Sequence, residues 1–154
     1  MIAVIQRVKK ASVIADGVPS GVCDKGFLIL LGVLKGDEEE DVRLLSEKIS
    51  KLRVFEDEAG KMNLSLADVS GGLLVVSNFT LGANYVHGNR PDFFESAPPA
   101  EAEPLYELFI AQIKEKGFPC ESGVFGADME ISLVADGPVT IVMDSLKLRK
   151  GKKA

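Results

Sequence analysis

The run "FLILLGVL", Phe27 to Leu34, constrains this chain more than any other stretch. A strand with one wet face alternates apolar and polar residues; this run is continuously apolar. It suits a central strand buried on both faces. The rest of the chain must therefore cover it above and below.

The period changes directly afterwards. In "GDEEEDVRLLSEKISKLRVF", Val42, Leu45, Ile49 and Leu52 recur at helical spacing, with charges on the opposite face. Asp37 is the expected N-cap, and acidic residues fill the first turn, where the helix dipole favours them. A second helix is predicted from Ala102 to Lys116, with Leu105, Phe109 and Ile113 as its stripe and Gly117 just past its end. Pro104 fits only a first turn, which places the start at Glu101 to Glu103.

Strand signals occupy the remainder. "AVIQRVKKASVIADG" reads as a long strand or strand pair turning at Asp16-Gly17, and "LLVVSNFTL" as an apolar strand with a polar end. Further strands are expected near Cys120 to Val124, Glu130 to Ala135 and Val139 to Asp144, the last two joined by Asp136-Gly137-Pro138. Asp-Gly is a hairpin signal, but Pro138 gives the following strand no N–H. A tight turn and a rigid Gly-Pro wedge both remain open. Seven or eight strands and two main helices predict an α+β fold, a mixed sheet curled toward a barrel.

At 154 residues the chain is expected to form one domain, residues 1–145, followed by a flexible basic tail, residues 146–154. That tail, "LKLRKGKKA", carries Lys147, Arg149, Lys150, Lys152 and Lys153; the body outside those five holds 13 basic against 23 acidic residues, a net of −10. An acidic body is a poor electrostatic footprint for nucleic acid, although the tail could touch phosphates. No apolar run is long enough for a membrane span, and "MIAVIQRVKKASV" is a poor signal peptide, so no membrane association and a cytoplasmic location are expected. Cys23 and Cys120, far apart and outside any ligand spacing, read as free thiols. His87 is the single histidine and lies in a glycine- and asparagine-rich loop, a poor basis for a zinc site or a Ser-His-Asp triad.

Three places could carry chemistry. Ser77, Asn78 and Thr80 sit at the end of the "LLVVSNF" strand, where alternation pairs Ser77 with Phe79 and Asn78 with Thr80. Hydroxyls there suggest a nucleophile, but no His, Lys, Asp or Glu lies within three residues of Ser77 or Thr80 to activate one. A polar strand end and a preorganised oxyanion site fit equally well. Arg7 lies mid-strand among apolar residues and must reach water or lock carbonyl groups with its five donors. Gly137-Pro138 is the third place. Between Thr80 and the second helix, "GANYVHGNRPDFFESAPPA" is the one long irregular stretch, and its aromatics and arginine argue against simple disorder.

Together these stretches resemble the D-aminoacyl-tRNA deacylase family, also called D-tyrosyl-tRNA deacylases. The carriers are "AVIQRV" (3–8), "LLGV" (30–33), "RVFEDEAGKMNLSL" (53–66), "LLVVSNFTL" (73–81), "RPDF" (90–93), "APP" (97–99), "AEPLYE" (102–107), "FGADM" (125–129) and "DGPVT" (136–140). The resemblance implies a homodimer of compact barrel-like subunits with the active site at the interface. It implies hydrolysis of the ester joining a D-amino acid, or glycine, to the 3′-terminal adenosine of tRNA, with no metal or organic cofactor. By resemblance, Ser77, Asn78, Phe79 and Thr80 form the catalytic motif, in which backbone N–H groups near Phe79 hold the oxyanion while water attacks with help from the RNA 2′-hydroxyl. Gly137 and Pro138 of the other subunit form a cis wedge that captures the α-amino group and rejects L side chains, with Arg7, Ala135 and Thr140 in support.

This sequence departs from the family pattern near that site. Asn78 stands where the family has Gln, Ala135 where it has Asn, and Val124 where it has Arg. The loop before Arg90-Pro91 carries fewer basic residues than usual. The first expectation is a working D-aminoacyl-tRNA deacylase. The alternatives are a paralogue acting on a different acyl ester and a catalytically silent dimer that binds tRNA or another adenosine-bearing ligand.

Overall fold

The computed structural model describes residues 1–151. Three long-range strands frame it. Strand β1 (Ile2–Ala15) turns at Asp16-Gly17, both at positive φ, into β2 (Val18–Cys23), and β3 (Gly26–Gly32) returns antiparallel to the first half of β1. Helix α1 (Glu39–Ser50) and a two-stranded ribbon, β4 (Arg53–Glu56) with β5 (Met62–Ser65), lead to β6 (Gly72–Ser77), which lies parallel to β3. Helix α2 (Pro99–Glu115), the short β7 (Cys120–Ser122), β8 (Met129–Asp144) and α3 (Ser145–Gly151) complete the described chain.

The order β2-β1-β3-β6-β7 curls until its ends meet. Ser20 donates to the Ser122 carbonyl at 3.0 Å, and the Val22 N–H donates to the Glu121 carboxylate at 2.6 Å. A Cβ at Gly21 would lie 2.7 Å from the Ser122 carbonyl oxygen, so the closest approach requires glycine. Among the described residues β8 pairs only with β1, along nearly its whole length, and its other edge is unpaired.

The expectation for residues 27–34 holds. Phe27, Ile29 and Leu31 pack outward against Val42, Leu45 and Ile49 of α1 and Phe109 and Ile113 of α2. Leu28 faces inward with Val8, Val13, Leu74 and Val76. β1 serves both layers because its register slips at Lys9: Ala3, Ile5 and Arg7 face the helices, while Ala11 and Val13 face the barrel interior.

Four local expectations are corrected. The N-cap of α1 is Glu38, whose N–H donates to Asp41 at 2.8 Å; Asp37 instead accepts from the Met1 amino group at 2.6 Å and the Leu34 N–H at 2.6 Å. Helix α2 begins at Pro99, and Pro104 lies inside it. Pro104 and Ala100 are both exposed, so the carbonyl that loses its intrahelical partner faces water. Residues 146–151 of the expected flexible tail belong to α3, docked where Arg149 pairs with Glu38 and with the fully buried Asp41. Lys152 and Lys153 lie outside the described residues.

The fourth correction concerns Asp136-Gly137-Pro138. Both flanking runs pair antiparallel with β1: residues 140–144 with 2–6, and residues 129–135 with 8–15. The two runs are one strand, and residues 136–139 bulge out opposite Arg7 alone. Asp-Gly signals a reversal only when its flanks can pair with each other; here β1 takes both.

Candidate functional site

β6 is apolar because it is buried between the helices and the barrel interior, and it ends where Ser77 reaches partial exposure. Beyond it the chain turns into a single 3-10 turn, Phe79–Gly82, so strand alternation stops at Ser77. The Asn78 N–H remains tied to the Leu31 carbonyl at 2.9 Å, which anchors the turn to the central strand. The Asn78 side-chain oxygen caps the turn, accepting from the Thr80 N–H at 3.1 Å and from the Thr80 hydroxyl. Asparagine suits this cap because its carbonyl is one bond from Cβ. Glutamine, one methylene longer, is a poor substitute in the same role.

This turn forms one wall of an apolar cavity of about 600 Å³. Phe79, 60% exposed, meets Phe93 edge-on at 5.1 Å, and Ser96 donates to the Phe79 carbonyl at 2.6 Å. Ala97, Pro98 and Ala102 of the α2 entry and Tyr106, Phe125 and Met129 close the cavity. The Tyr106 hydroxyl donates to the Val75 carbonyl at 3.0 Å, and burial pushes its pKa up to about 12. It is therefore a structural donor at neutral pH, not a proton shuttle. The first helical N–H, on Phe79, has no carbonyl of its own turn to bond. Thr80 donates its hydroxyl to an amide oxygen, which cannot take a proton as a base does.

The Gly137-Pro138 bulge lies elsewhere in the chain. Thr140 pairs with Gln6, and Gln6 with Leu28, whereas Ser77 pairs with Leu31 at the other end of β3. Neither Gly137 nor Pro138 lines the 600 Å³ cavity. One chain thus brings together Ser77, Asn78, Phe79 and Thr80, and separately Arg7, Ala135, Gly137, Pro138 and Thr140.

Arg7 is the hub of the second group. It is 4% exposed, reached from the helix-facing side of β1. Its Nε donates to the Asp136 carbonyl at 3.1 Å and lies 3.4 Å from the Asp136 carboxylate, while Nη1 donates to the Val54 carbonyl at 2.6 Å. Of the two readings open for Arg7, carbonyl locking is the observed one. Gly137 has φ +125°, and a Cβ there would lie 2.9 Å from the Val139 nitrogen and 3.1 Å from Arg7 Nη2, so this position admits only glycine without a shift. The Gly137-Pro138 peptide is cis.

Gln6 joins this candidate group. Its side-chain oxygen accepts from Thr140 Oγ1 at 2.5 Å, and its Nε2 donates to the Val139 carbonyl at 3.3 Å. The bulge is therefore held at its start by Arg7 and at its end by Gln6. The available signal was a second polar residue beside Arg7 in an otherwise apolar strand. Ala135 pairs with Val8 and contributes backbone alone to this support.

Among the described residues no group of three or more His, Cys, Asp or Glu side chains is placed to hold a metal ion, and no helix is long and apolar enough to cross a membrane. His87 is exposed in the loop after the turn.

The chain matches the family model for D-Tyr-tRNA(Tyr) deacylase over residues 4–144. It is 52% identical over 151 residues to a D-aminoacyl-tRNA deacylase of Geobacter metallireducens, covering 98% of this chain and 100% of that one. A D-aminoacyl-tRNA deacylase of Thermosipho africanus is 53% identical over 148 residues, covering 96% and 99%. Among solved structures, a c-Myc DNA unwinding element binding protein superimposes with a TM-score of 0.87 at 38% identity, covering 94% of this chain and 98% of that one. A probable eukaryotic D-amino acid tRNA deacylase shares the fold, with a TM-score of 0.78 at 16% identity, covering 92% and 97%.

Proposed function

The chain belongs to the D-Tyr-tRNA(Tyr) deacylase family, and on that premise we propose that it hydrolyses the ester of D-aminoacyl-tRNA by a backbone-built site completed between two subunits. The observation that carries this reading is the placement of Gly137-Pro138. The pair is exposed, pinned by Arg7 and Gln6, and displayed on the strand with the free edge, away from the chain's own cavity. A rigid backbone wedge so displayed has no use in its own subunit and suits the mouth of a second one. Val134, Val142 and Leu133 on β8, exposed between 41% and 67%, supply apolar surface for a homodimer contact along the same strand.

In this mechanism the 3′-terminal adenosine enters the 600 Å³ cavity, whose apolar lining suits a base and ribose. Water attacks the ester carbonyl, and the adjacent 2′-hydroxyl of the RNA assists, since Thr80 has no base to activate it. The N–H at Phe79 receives the developing oxyanion. The partner's Gly-Pro backbone takes the α-amino group and clashes with an L side chain; a clash discriminates more strongly than a missing contact. Glycine, with no side chain to clash, also passes. The amino acid and tRNA leave as products, and the reaction belongs to chiral proofreading in the cytoplasm.

The test is release of D-tyrosine from D-Tyr-tRNA against L-tyrosine from L-Tyr-tRNA. The D ester is expected to be cleaved at least about a hundredfold faster, the margin that a clash of some 2.7 kcal/mol provides. Equal rates, or release from neither, would sink the reading. Asn78 and Ala135 favour one second reading, a shifted acyl preference, which release of glycine or another acyl group in place of D-tyrosine would establish.

A further inference from the structure

The loop between the 3-10 turn and α2 contains a second, open cleft of about 450 Å³, lined by Ala83, Asn84, Tyr85, Val86, Asp92, Phe94 and Glu95. Its frame is rigid. Asn84 and Asp92 exchange backbone hydrogen bonds at 2.8 and 2.9 Å, and the Asn84 amide donates to the Asp92 carboxylate at 3.0 Å. The same two side chains accept from the N–H groups of Val86 and Phe94. On this frame Tyr85 is 77% exposed and Phe94 74%, an unusual state for two large rings facing one cleft. Neither ring packs against another aromatic, whereas neighbouring Phe93 is engaged with Phe79.

The cleft adjoins the cavity already described, since the two are lined by neighbouring residues of one loop. Phe93 lines the cavity and Phe94 lines the cleft, so consecutive residues, with Cα atoms about 3.8 Å apart, at the start of a turn closed by the Ser96 N–H on the Phe93 carbonyl, serve the two sites. Its chemistry is that of a base pocket. Two exposed rings offer stacking faces, and the Glu95 carboxylate, without a side-chain partner among the described residues, can accept from an exocyclic amine such as cytosine N4. Arg90, two residues before Asp92 in the same loop, is exposed and offers a phosphate donor.

We infer that this cleft holds an unpaired nucleobase of the tRNA acceptor end, one of the cytosines preceding the terminal adenosine. The inference rests on the deacylase reading for the identity of the RNA and extends it to a residue pair, Tyr85 and Phe94, that selects single-stranded RNA by stacking. Stacking also explains how an acidic body binds RNA with little basic surface: ring contacts release few counterions, so affinity depends weakly on salt.

The experiment measures the affinity of the full chain for an uncharged RNA minihelix ending in CCA by fluorescence anisotropy, alongside the same minihelix with abasic sites at the two cytosines. Replacing both rings, Tyr85→Ala with Phe94→Ala, is expected to weaken binding of the intact probe about tenfold or more. The abasic probe is expected to lose a similar factor with the unaltered protein and little further with the double variant. Tyr85→Phe, which keeps the ring, should bind normally. Unchanged affinity of the double variant, or equal further losses for both probes, would overturn the inference. So would a change of oligomeric state without a change in affinity, which would assign the cleft to a second copy. Ring-dependent binding by a protein that releases no acyl group would defeat the deacylase reading and leave the cleft standing; release of D-tyrosine with ring-independent affinity would do the reverse.

Discussion

Arg7 Nε donates to the carbonyl of Asp136 at 3.1 Å, across the point where β1 and β8 lose their common register. This contact turns a break in a ladder into a fixed object. A bulge of residues 136–139 opposite a single residue leaves backbone groups without strand partners, and the guanidinium fork supplies donors where β1 cannot. The second acceptor, the Val54 carbonyl, belongs to β4, so the bulge is braced against the ribbon as well as the barrel.

Arg7→Ala is expected to destabilise the protein by about 3 kcal/mol, because two carbonyls lose their donor in a buried setting. Arg7→Lys should recover little, since one ammonium cannot span both acceptors. Urea unfolding gives the first quantity. The ratio of D-Tyr-tRNA to L-Tyr-tRNA cleavage should fall in both variants, and an unchanged ratio would separate Arg7 from stereochemical control.

Thr80→Val tests whether the hydroxyl attacks substrate. It donates to the Asn78 side chain and has no base, so D-tyrosine release is expected to stay within about tenfold of the unaltered protein. Loss of a true nucleophile would instead lower kcat by roughly a millionfold. Single-turnover rates distinguish the two.

Arg149→Ala should unfasten α3. Burial alone would raise the Asp41 carboxyl, but the Glu38 N–H, the Ser145 hydroxyl and Arg149 together outweigh it and hold its pKa below the ordinary value. Removing the guanidinium leaves a buried carboxylate under-paired and lowers stability. The loss should shrink in acid, because a group with a depressed folded pKa contributes stability above its unfolded pKa and loses it as pH falls through the folded one. Denaturant midpoints of both proteins at neutral pH and at pH 3 check this.

Alkaline pH should destabilise the fold through its buried thiols. Burial pushes Cys23 and Cys120 up from 9.0 to about 11. Each favours folding fully below its unfolded pKa, and that contribution drains as pH rises from 9 toward 11. A fall in thermal midpoint across that window is expected, smaller in a Cys23→Ala, Cys120→Ala double variant. Alkylation of the native thiols at neutral pH should be slow, and rapid in denaturant.

The sequence made the layering legible because burial on two faces leaves an unbroken apolar run, and burial on one face leaves a period. Val42, Leu45 and Ile49 declared α1 in this way, and Phe27 to Leu31 declared the central strand. What stayed hidden depended on distant partners. Asp136-Gly137 has hairpin chemistry, and only the length of β1 decides that its flanks share one neighbour. Pro104 escapes the first-turn rule because the bond it removes lies on the exposed face of α2. Arg149 in a basic tail carries no local sign that Asp41 waits on another helix. At the site, the missing base beside Thr80 was readable from the residues, whereas Gln6 required knowing what stands opposite it.

The bulge on β8 also separates two design variables. Pairing of residues 129–135 and 140–144 with β1 fixes both flanks independently of the segment between them. The barrel therefore sets where the bulge is mounted, and residues 136–139, pinned by Arg7 and Gln6, set how far it projects. On the proposed mechanism, lengthening or shortening that segment changes the reach of the tip without moving the mount, so the depth of the selectivity barrier becomes a dimension that can be adjusted apart from the scaffold.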